Sequence, residues 1–157
     1  MGISRVDLVN RAVQVGRRFI AYRPRSCAEV RRRLALRFSS TVVKEALQHL
    51  EGEGYLDDAA FARFWRESRE SNRPRSASFI SYELVRHGVG RELAQETVAG
   101  MNEEDAAHKA GLARLRAIEG LGYVTFRRRL EGYLKRRGFG SRVIRQVVSD
   151  MWRLSHS

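Results

Sequence analysis

Cysteine and proline are scarce among the 157 residues of this sequence, and each scarcity excludes a class of protein. The single cysteine, Cys27, rules out an intramolecular disulfide and any zinc site built from several cysteines, which favours a reducing compartment. With only two prolines, 43% hydrophobic residues and 31% charged residues, the composition is unlike that of a disordered polycation. We therefore expect the chain to fold.

Long apolar runs are also absent. A membrane-spanning helix needs about 18 or more consecutive apolar residues, and the sequence contains no such stretch. The first ten residues include Arg5, Asp7 and Asn10, where a secretory signal needs an apolar segment. We expect a cytoplasmic protein without a membrane anchor.

Positive charge is abundant, and nearly all of it is arginine. The 30 basic residues exceed the 18 acidic ones, for a net charge of +12. Basic and acidic residues number 11 and 3 in residues 1–50, 7 and 12 in residues 51–105, and 12 and 3 in residues 106–157. Two basic ends thus flank an acidic middle. The ends favour a polyanionic partner, such as nucleic acid or a protein that carries nucleic acid.

Internal repeats organise the chain. Arg-Pro-Arg-Ser occurs at residues 23–26 and again at 73–76, while His-Gly-Val-Gly at 87–90 is matched by Arg-Gly-Phe-Gly at 137–140. The common step of fifty residues predicts three repeats. We place them at residues 1–54, 55–103 and 104–157.

Each repeat has the pattern of three helices, because apolar residues return at steps of three and four and no segment alternates like a strand. Ser4 with Asp7 and Ser26 with Glu29 match the capping-box pattern of helix starts. The predicted fold is all-α: three tandem three-helix repeats that form an elongated, curved array. The nine predicted helices span 5–20, 27–37, 40–51, 58–71, 77–87, 91–100, 104–119, 126–137 and 141–153.

Catalytic motifs are not found. There is no Gly-Lys pair and hence no P-loop, and the four histidines lack metal-binding spacing with one another. Asp57 and Asp58 could form a two-carboxylate metal clamp, but their position just before an apolar helix favours capping. We predict a protein that is not an enzyme and has no metal or cofactor.

Basic clusters supply the candidate binding residues. Arg127, Arg128 and Arg129 fall in the first turn of the predicted helix 126–137, where the helix dipole opposes positive charge. Such cations suit an anionic partner, although a solvated helix face or helix capping would explain several of the other clusters. The candidates for contact with a partner or nucleic acid are Arg23, Arg25, Arg31, Arg32, Arg73, Arg75, Arg86, Arg127, Arg128, Arg129, Lys135, Arg136 and Arg137.

A family resemblance rests on motifs in a fixed order. The motifs are Tyr-Arg-Pro-Arg-Ser at 22–26, Glu-Val-Arg-Arg-Arg-Leu at 29–34, Gly-Tyr-Leu-Asp-Asp at 54–58, Phe-Ala-Arg-Phe at 61–64, Ser-Arg at 68–69, Glu-Leu at 83–84, His-Gly-Val at 87–89 and Tyr-Leu-Lys-Arg-Arg-Gly-Phe at 133–139. Together they resemble the bacterial RecX family of recombination regulators. The chain departs from the family pattern where Arg37-Phe38 and Asn72-Arg73-Pro74 stand in place of usual glycines.

The resemblance implies a non-enzymatic modulator, usually an inhibitor, of the RecA recombinase in DNA repair and the SOS response. Its partner would be RecA, preferentially as the filament on DNA, and we expect the modulator to be a monomer. Two other functions stay open. One is direct, weak DNA binding through helix-turn-helix-like units, since the last two helices of each repeat are joined by a short turn. The other is a nuclease that uses Asp57 and Asp58.

Overall fold

The structure, a computed structural model, describes residues 2–72 and 74–157. Within those residues all regular structure is helical, which confirms the predicted all-α fold. The helices of this described part are α1 (Arg5–Tyr22), α2 (Cys27–Ala35), α3 (Ser40–Gly52), α4 (Asp58–Asn72), α5 (Ala77–Arg86), α6 (Arg91–Val98), α7 (Glu103–Ile118), α8 (Tyr123–Arg136) and α9 (Ser141–Ser155).

Side-chain caps start several helices at the predicted positions. The hydroxyl of Ser4 accepts a hydrogen bond from the Asp7 amide, and the hydroxyl of Ser26 accepts one from the Glu29 amide at 3.1 Å. The carboxylate of Asp57 accepts from the Ala60 amide at 3.1 Å and so caps α4. Each bond satisfies an amide that has no partner inside its own helix. These three predicted caps are confirmed.

Helix α8 begins three residues before its predicted start at residue 126. Gly122, in an extended conformation, precedes it, and no side chain caps it. Of its additional residues, Tyr123 packs on α9: its ring and that of Phe126 lie edge-on to Trp152 at centroid distances of 5.0 and 5.2 Å. The prediction that residues 127–129 occupy the first turn of this helix is therefore wrong, because they lie in the second turn.

The chain divides into two compact units. One comprises Met1–Phe64 with Glu83–Thr97, and the other comprises Trp65–Tyr82 with Val98–Ser157. The boundaries between the units fall inside α4 and α5 and before the last residue of α6. Each unit has its own apolar core, built from α1–α3 in the first unit and from α7–α9 in the second.

The repeated motifs meet inside each unit. In the first unit, the hydroxyl of Ser26 donates a hydrogen bond to the carbonyl of His87. A Cβ added at Gly88 would come within 2.2 Å of the Ala28 methyl carbon. In the second unit, Ser76 likewise donates from its amide to the Arg137 carbonyl at 3.1 Å. The fifty-residue recurrence thus marks the contact between the second helices of successive repeats.

The backbone after the second helix of each repeat explains why the second and third repeats have a glycine there and the first does not. Gly88 and Gly138, which follow α5 and α8, both have φ of +89°, a conformation that L side chains rarely adopt. The corresponding corner after α2 has no described residue with positive φ, and there the Phe38 amide donates to the Leu34 carbonyl at 3.0 Å. Arg37 and Phe38 therefore fit this corner without strain.

Candidate partner-binding surface

Arg25 is held by its own unit. Its Nε donates to the Phe19 carbonyl at 3.2 Å, and its guanidinium lies 4.0 Å from the centre of the Phe19 ring. Burial lowers the pKa of Arg25, the nearby charge of Arg23 lowers it further, and only 16% of the side chain is exposed. Arg25 therefore fixes the loop between α1 and α2, and little of its guanidinium faces outward.

Glu29 contacts three basic side chains around that loop. Its carboxylate lies 3.1 Å from Nη2 of Arg23, 3.8 Å from Nη1 of Arg25 and 2.6 Å from Nδ1 of His87. Its side chain is 10% exposed. These contacts link α2 to the end of α5 within the first unit. Because three neighbours already use this carboxylate, it contributes little negative charge to the surface.

A groove beside this cluster brings three of the predicted candidates together, namely Arg23, Arg32 and Arg86. Its volume is about 650 Å³. We call it the Arg32 groove, and it is lined by Phe19, Arg23, Glu29, Arg32, Arg33, Leu36, Arg86 and His87. Arg33, which was not among the predicted candidates, lies 5.4 Å from the centre of the Phe19 ring. Its place as the last member of the 31–33 arginine run was the signal that could have found it.

A second basic groove lies on the same unit, and none of its arginines was among the candidates. Its volume is also about 650 Å³. We call it the Arg18 groove, and it is lined by Leu8, Asn10, Arg11, Gln14, Val15, Arg18, Arg37 and Phe38. Its lining includes no carboxylate. Arg11 and Arg18 are seven residues apart on α1 and so share one helix face, a spacing that could have identified them.

Arg31 lies in a third, more apolar groove. That groove is lined by Cys27, Arg31, Ala35, Phe38, Ser40, Val43, Lys44, Leu47, Gln48 and Glu51. Arg31 and Arg32 thus face different grooves, as the 100° step between consecutive helical residues requires. Burial raises the pKa of the Cys27 thiol, the charge of Arg31 lowers it, and those of Asp58 and Glu51 raise it.

The remaining candidates are spread over the second unit. The guanidinium of Arg75 lies 4.7 Å from the centre of the Phe79 ring, and that of Arg137 lies 4.5 Å from the centre of the Tyr133 ring. Arg127 pairs with Glu131 at 2.8 Å, and this hydrogen bond raises the pKa of Arg127. The exposed members are Arg127, Arg128, Arg129, Lys135 and Arg136. The candidate Arg73 lies outside the described residues.

The two aspartates of the possible metal clamp both bind backbone amides. Asp57 caps α4, as described above, whereas Oδ1 of Asp58 accepts from the Cys27 amide at 2.9 Å and so caps α2. The expectation that Asp58 caps its own helix is therefore wrong. No group of three or more His, Cys, Asp or Glu side chains placed to hold a metal ion occurs in the described residues. No helix in that part of the chain is long and apolar enough to cross a membrane.

Comparisons with known proteins identify the family. Sequence models for the first and second three-helix domains of RecX match residues 12–50 and 57–98. The regulatory protein RecX of Thermobifida fusca is 32% identical over an alignment that covers 92% of this chain and 80% of that protein. The RecX of Mycobacterium avium is 34% identical, with 83% and 79% covered.

Solved structures show the same fold. The crystal structure of RecX from Lactobacillus salivarius matches with a TM-score of 0.75 at 13% sequence identity, and the match covers 93% of this chain and 97% of that one. A second crystal structure of a regulatory protein RecX matches with a TM-score of 0.76 at 18% identity, covering 92% and 74%. With its two family domains in order and relatives above 30% identity along most of its length, this chain belongs to the RecX family of regulatory proteins.

Proposed function

We propose that this protein inhibits RecA by binding in the groove of the RecA filament on DNA. There it bridges neighbouring RecA protomers, limits addition of further subunits and hinders the motions coupled to ATP hydrolysis and strand exchange. Membership of a family of regulatory proteins supports a regulatory role. The function requires no cofactor and no reaction catalysed by this chain.

The observation that carries the proposal is the exposed basic surface of the first unit. Among the described residues, no ion pair joins Arg11, Arg18, Arg32 or Arg33 to an acidic side chain. An assembly of protein and DNA offers both carboxylates and phosphates to such guanidiniums. The acidic stretch 51–105 would repel bare DNA but suits a partner that also presents basic protein surface.

Binding to filaments and to their separate components tests this function. Purified protein is titrated against RecA filaments on single-stranded DNA, RecA alone, and bare single- and double-stranded DNA, each at two salt concentrations. We expect the tightest binding to the filament, together with slower RecA-dependent ATP hydrolysis and strand exchange. Equal affinity for bare DNA, with a steep salt dependence and no effect of RecA, would contradict the proposal.

Two double variants that lose the same charge test which part of the protein binds the filament. Arg11→Gln with Arg18→Gln removes two charges from the Arg18 groove, whereas Arg116→Gln with Arg153→Gln removes two exposed charges from α7 and α9. Glutamine keeps much of the length and the helix propensity of arginine. The first pair should weaken filament binding and inhibition, and the second should leave both near the wild-type level. Equal effects would mean that net charge alone matters.

DNA binding through helix-turn-helix units is the competing function. In that mode the last helix of a repeat would enter the major groove of DNA. The charges of two such helices do not favour it, since α3 carries Lys44 against two glutamates and α6 carries Arg91 against two glutamates. The basic side chains of the first repeat lie mainly on α1 and α2 instead.

A further inference from the structure

The groove of the first unit that contains Arg31 has an apolar floor. Its volume is about 620 Å³, and we call it the Leu47 groove. Half of its ten lining residues are apolar, namely Cys27, Ala35, Phe38, Val43 and Leu47. Val43 and Leu47 belong to the core of the unit, whereas Ala35 is exposed. The floor is therefore part of the folded core and is open to a ligand.

Two helix faces form the sides of the Leu47 groove. On α2 the lining residues recur every four positions from Cys27 to Ala35, and on α3 they follow the three- and four-residue spacing of one helix face from Ser40 to Glu51. The sides extend about 12 Å along α2 and about 16 Å along α3, at 1.5 Å per residue. Phe38 lies in the turn that joins the two helices. A ligand helix of two to three turns matches these lengths.

The charges of the groove are arranged along its length. Arg31 on one side and Lys44 on the other are exposed, and no ion pair within the described residues joins either of them to a carboxylate. Glu51 lies at the end where α2 begins, close enough for its charge to raise the pKa of Cys27. At the opposite end α3 begins with Ser40, so the positive end of its helix dipole lies there.

We propose that the Leu47 groove binds an amphipathic α-helix of another protein, one with acidic residues beside its apolar face. Apolar side chains of that helix cover Val43 and Leu47, and its carboxylates pair with Arg31 and Lys44. The helix runs antiparallel to α3, because its positive N-terminal end then faces Glu51. An apolar floor offers no partner to phosphates, which favours a protein helix over a nucleic acid. This binding goes beyond the regulation of RecA, since it requires neither a filament nor DNA and uses none of the arginines of the Arg18 and Arg32 grooves.

A synthetic peptide serves as the probe, with the full chain and without RecA. The peptide has about 16 residues, because shorter helices are marginal in water, and it carries leucines on one face with glutamates beside them. Fluorescence anisotropy of the labelled peptide measures binding. A control peptide of the same composition, with its leucines spread around the helix, should bind at least about tenfold more weakly, because burial of even one leucine is worth about that factor. Equal binding of the two peptides would overturn the proposal, since charge alone would then explain it.

A charge-reversed variant tests the two cations. Arg31→Glu with Lys44→Glu lowers the net charge from +12 to +8, so the protein as a whole still attracts the glutamate peptide. This variant should nevertheless bind a matched peptide with lysine in place of glutamate more tightly than the glutamate peptide. The control, Arg116→Glu with Arg153→Glu, has the same net charge and should keep the wild-type preference for glutamate. An unchanged preference in the first variant would overturn the proposal. Circular dichroism checks that both variants keep the wild-type helix content.

Alkylation of Cys27 shows whether the peptide lies in the groove. The thiol lines the groove, so its reaction with iodoacetamide should slow in proportion to the fraction of protein that is bound. Undiminished alkylation at saturation would place the peptide elsewhere and overturn the proposal. So would a wild-type protein that sediments as a dimer and becomes monomeric in Arg31→Glu with Lys44→Glu, because a second copy would then occupy the groove. Since RecA is absent, failure here leaves the filament experiment unaffected.

Discussion

Replacing Gly88 with alanine tests how closely the second helices of the first two repeats pack. Gly88 has φ of +89°, and a Cβ at this position would meet the Ala28 methyl carbon at 2.2 Å. Carbon atoms in favourable contact lie about 3.5 to 4.0 Å apart. The clash involves Ala28 at the start of α2, which Ser26 ties to the carbonyl of His87. Moving either backbone away would strain that hydrogen bond.

The expected cost is the sum of two effects. An L residue with left-handed backbone angles costs about 1 to 2 kcal/mol. Overpacking a well-filled contact costs about a further 1 to 3 kcal/mol. Gly88→Ala should therefore lower the free energy of unfolding by about 2 to 5 kcal/mol. Gly54→Ala isolates the first effect, because Gly54 has φ of +81° with nothing within 4 Å of an added Cβ, and should cost about 1 to 2 kcal/mol.

Urea denaturation followed by circular dichroism gives both values, and a second substitution checks their origin. Ala28→Gly removes the methyl carbon that an added Cβ would hit, although glycine in a helix itself costs about 1 kcal/mol. In the Gly88→Ala background, Ala28→Gly should cost less than it does in the wild-type background, because there it also relieves the clash. Equal losses of stability for Gly88→Ala and Gly54→Ala would refute the close contact between the two helices.

Three further predictions concern other residues. Asp58→Ala should lose about 1 kcal/mol of stability in the same urea experiment, and Asp58→Asn should lose less, because an amide oxygen can still accept from the Cys27 amide. Metal-dependent cleavage of DNA that disappears in Asp58→Asn would instead make the protein an enzyme. Glutamine at all three of residues 127–129 should not raise the melting temperature, because these arginines lie beyond the first turn and one pairs with Glu131. Alkylation of Cys27 by iodoacetamide should reach half its maximal rate at a higher pH than a free thiol, because burial raises the thiol pKa, and Asp58→Asn should lower that pH.

The helices could be predicted because their signals are local. Ser26 and Glu29 are three residues apart, so their cap could be recognised without any knowledge of the tertiary fold. The start of α8 was missed because no capping side chain marks it. Of its additional residues, Tyr123 packs against Trp152, which lies on another helix.

The candidate surface was predicted only in part. Arg23, Arg32 and Arg86 do line one groove, but nothing in the sequence groups them, since Arg86 is more than fifty residues from the others. Arg25 was among the predicted binding residues, whereas in the structure it packs on Phe19. A sequence reveals where charge is abundant, but the exposure of each guanidinium depends on the neighbours that cover it.

The all-α fold, the three repeats and the family follow from the order of residues alone, because helical periodicity, capping and repeated motifs depend on residues close together or at a constant step. The amide that Asp58 binds and the histidine that holds Glu29 do not follow from it, since these partners are 31 and 58 residues away. Nor does the groove that Arg32 and Arg33 share with Arg86. Contacts at such separations depend on how the helices pack, and packing is set by the shapes of many side chains together rather than by any one motif.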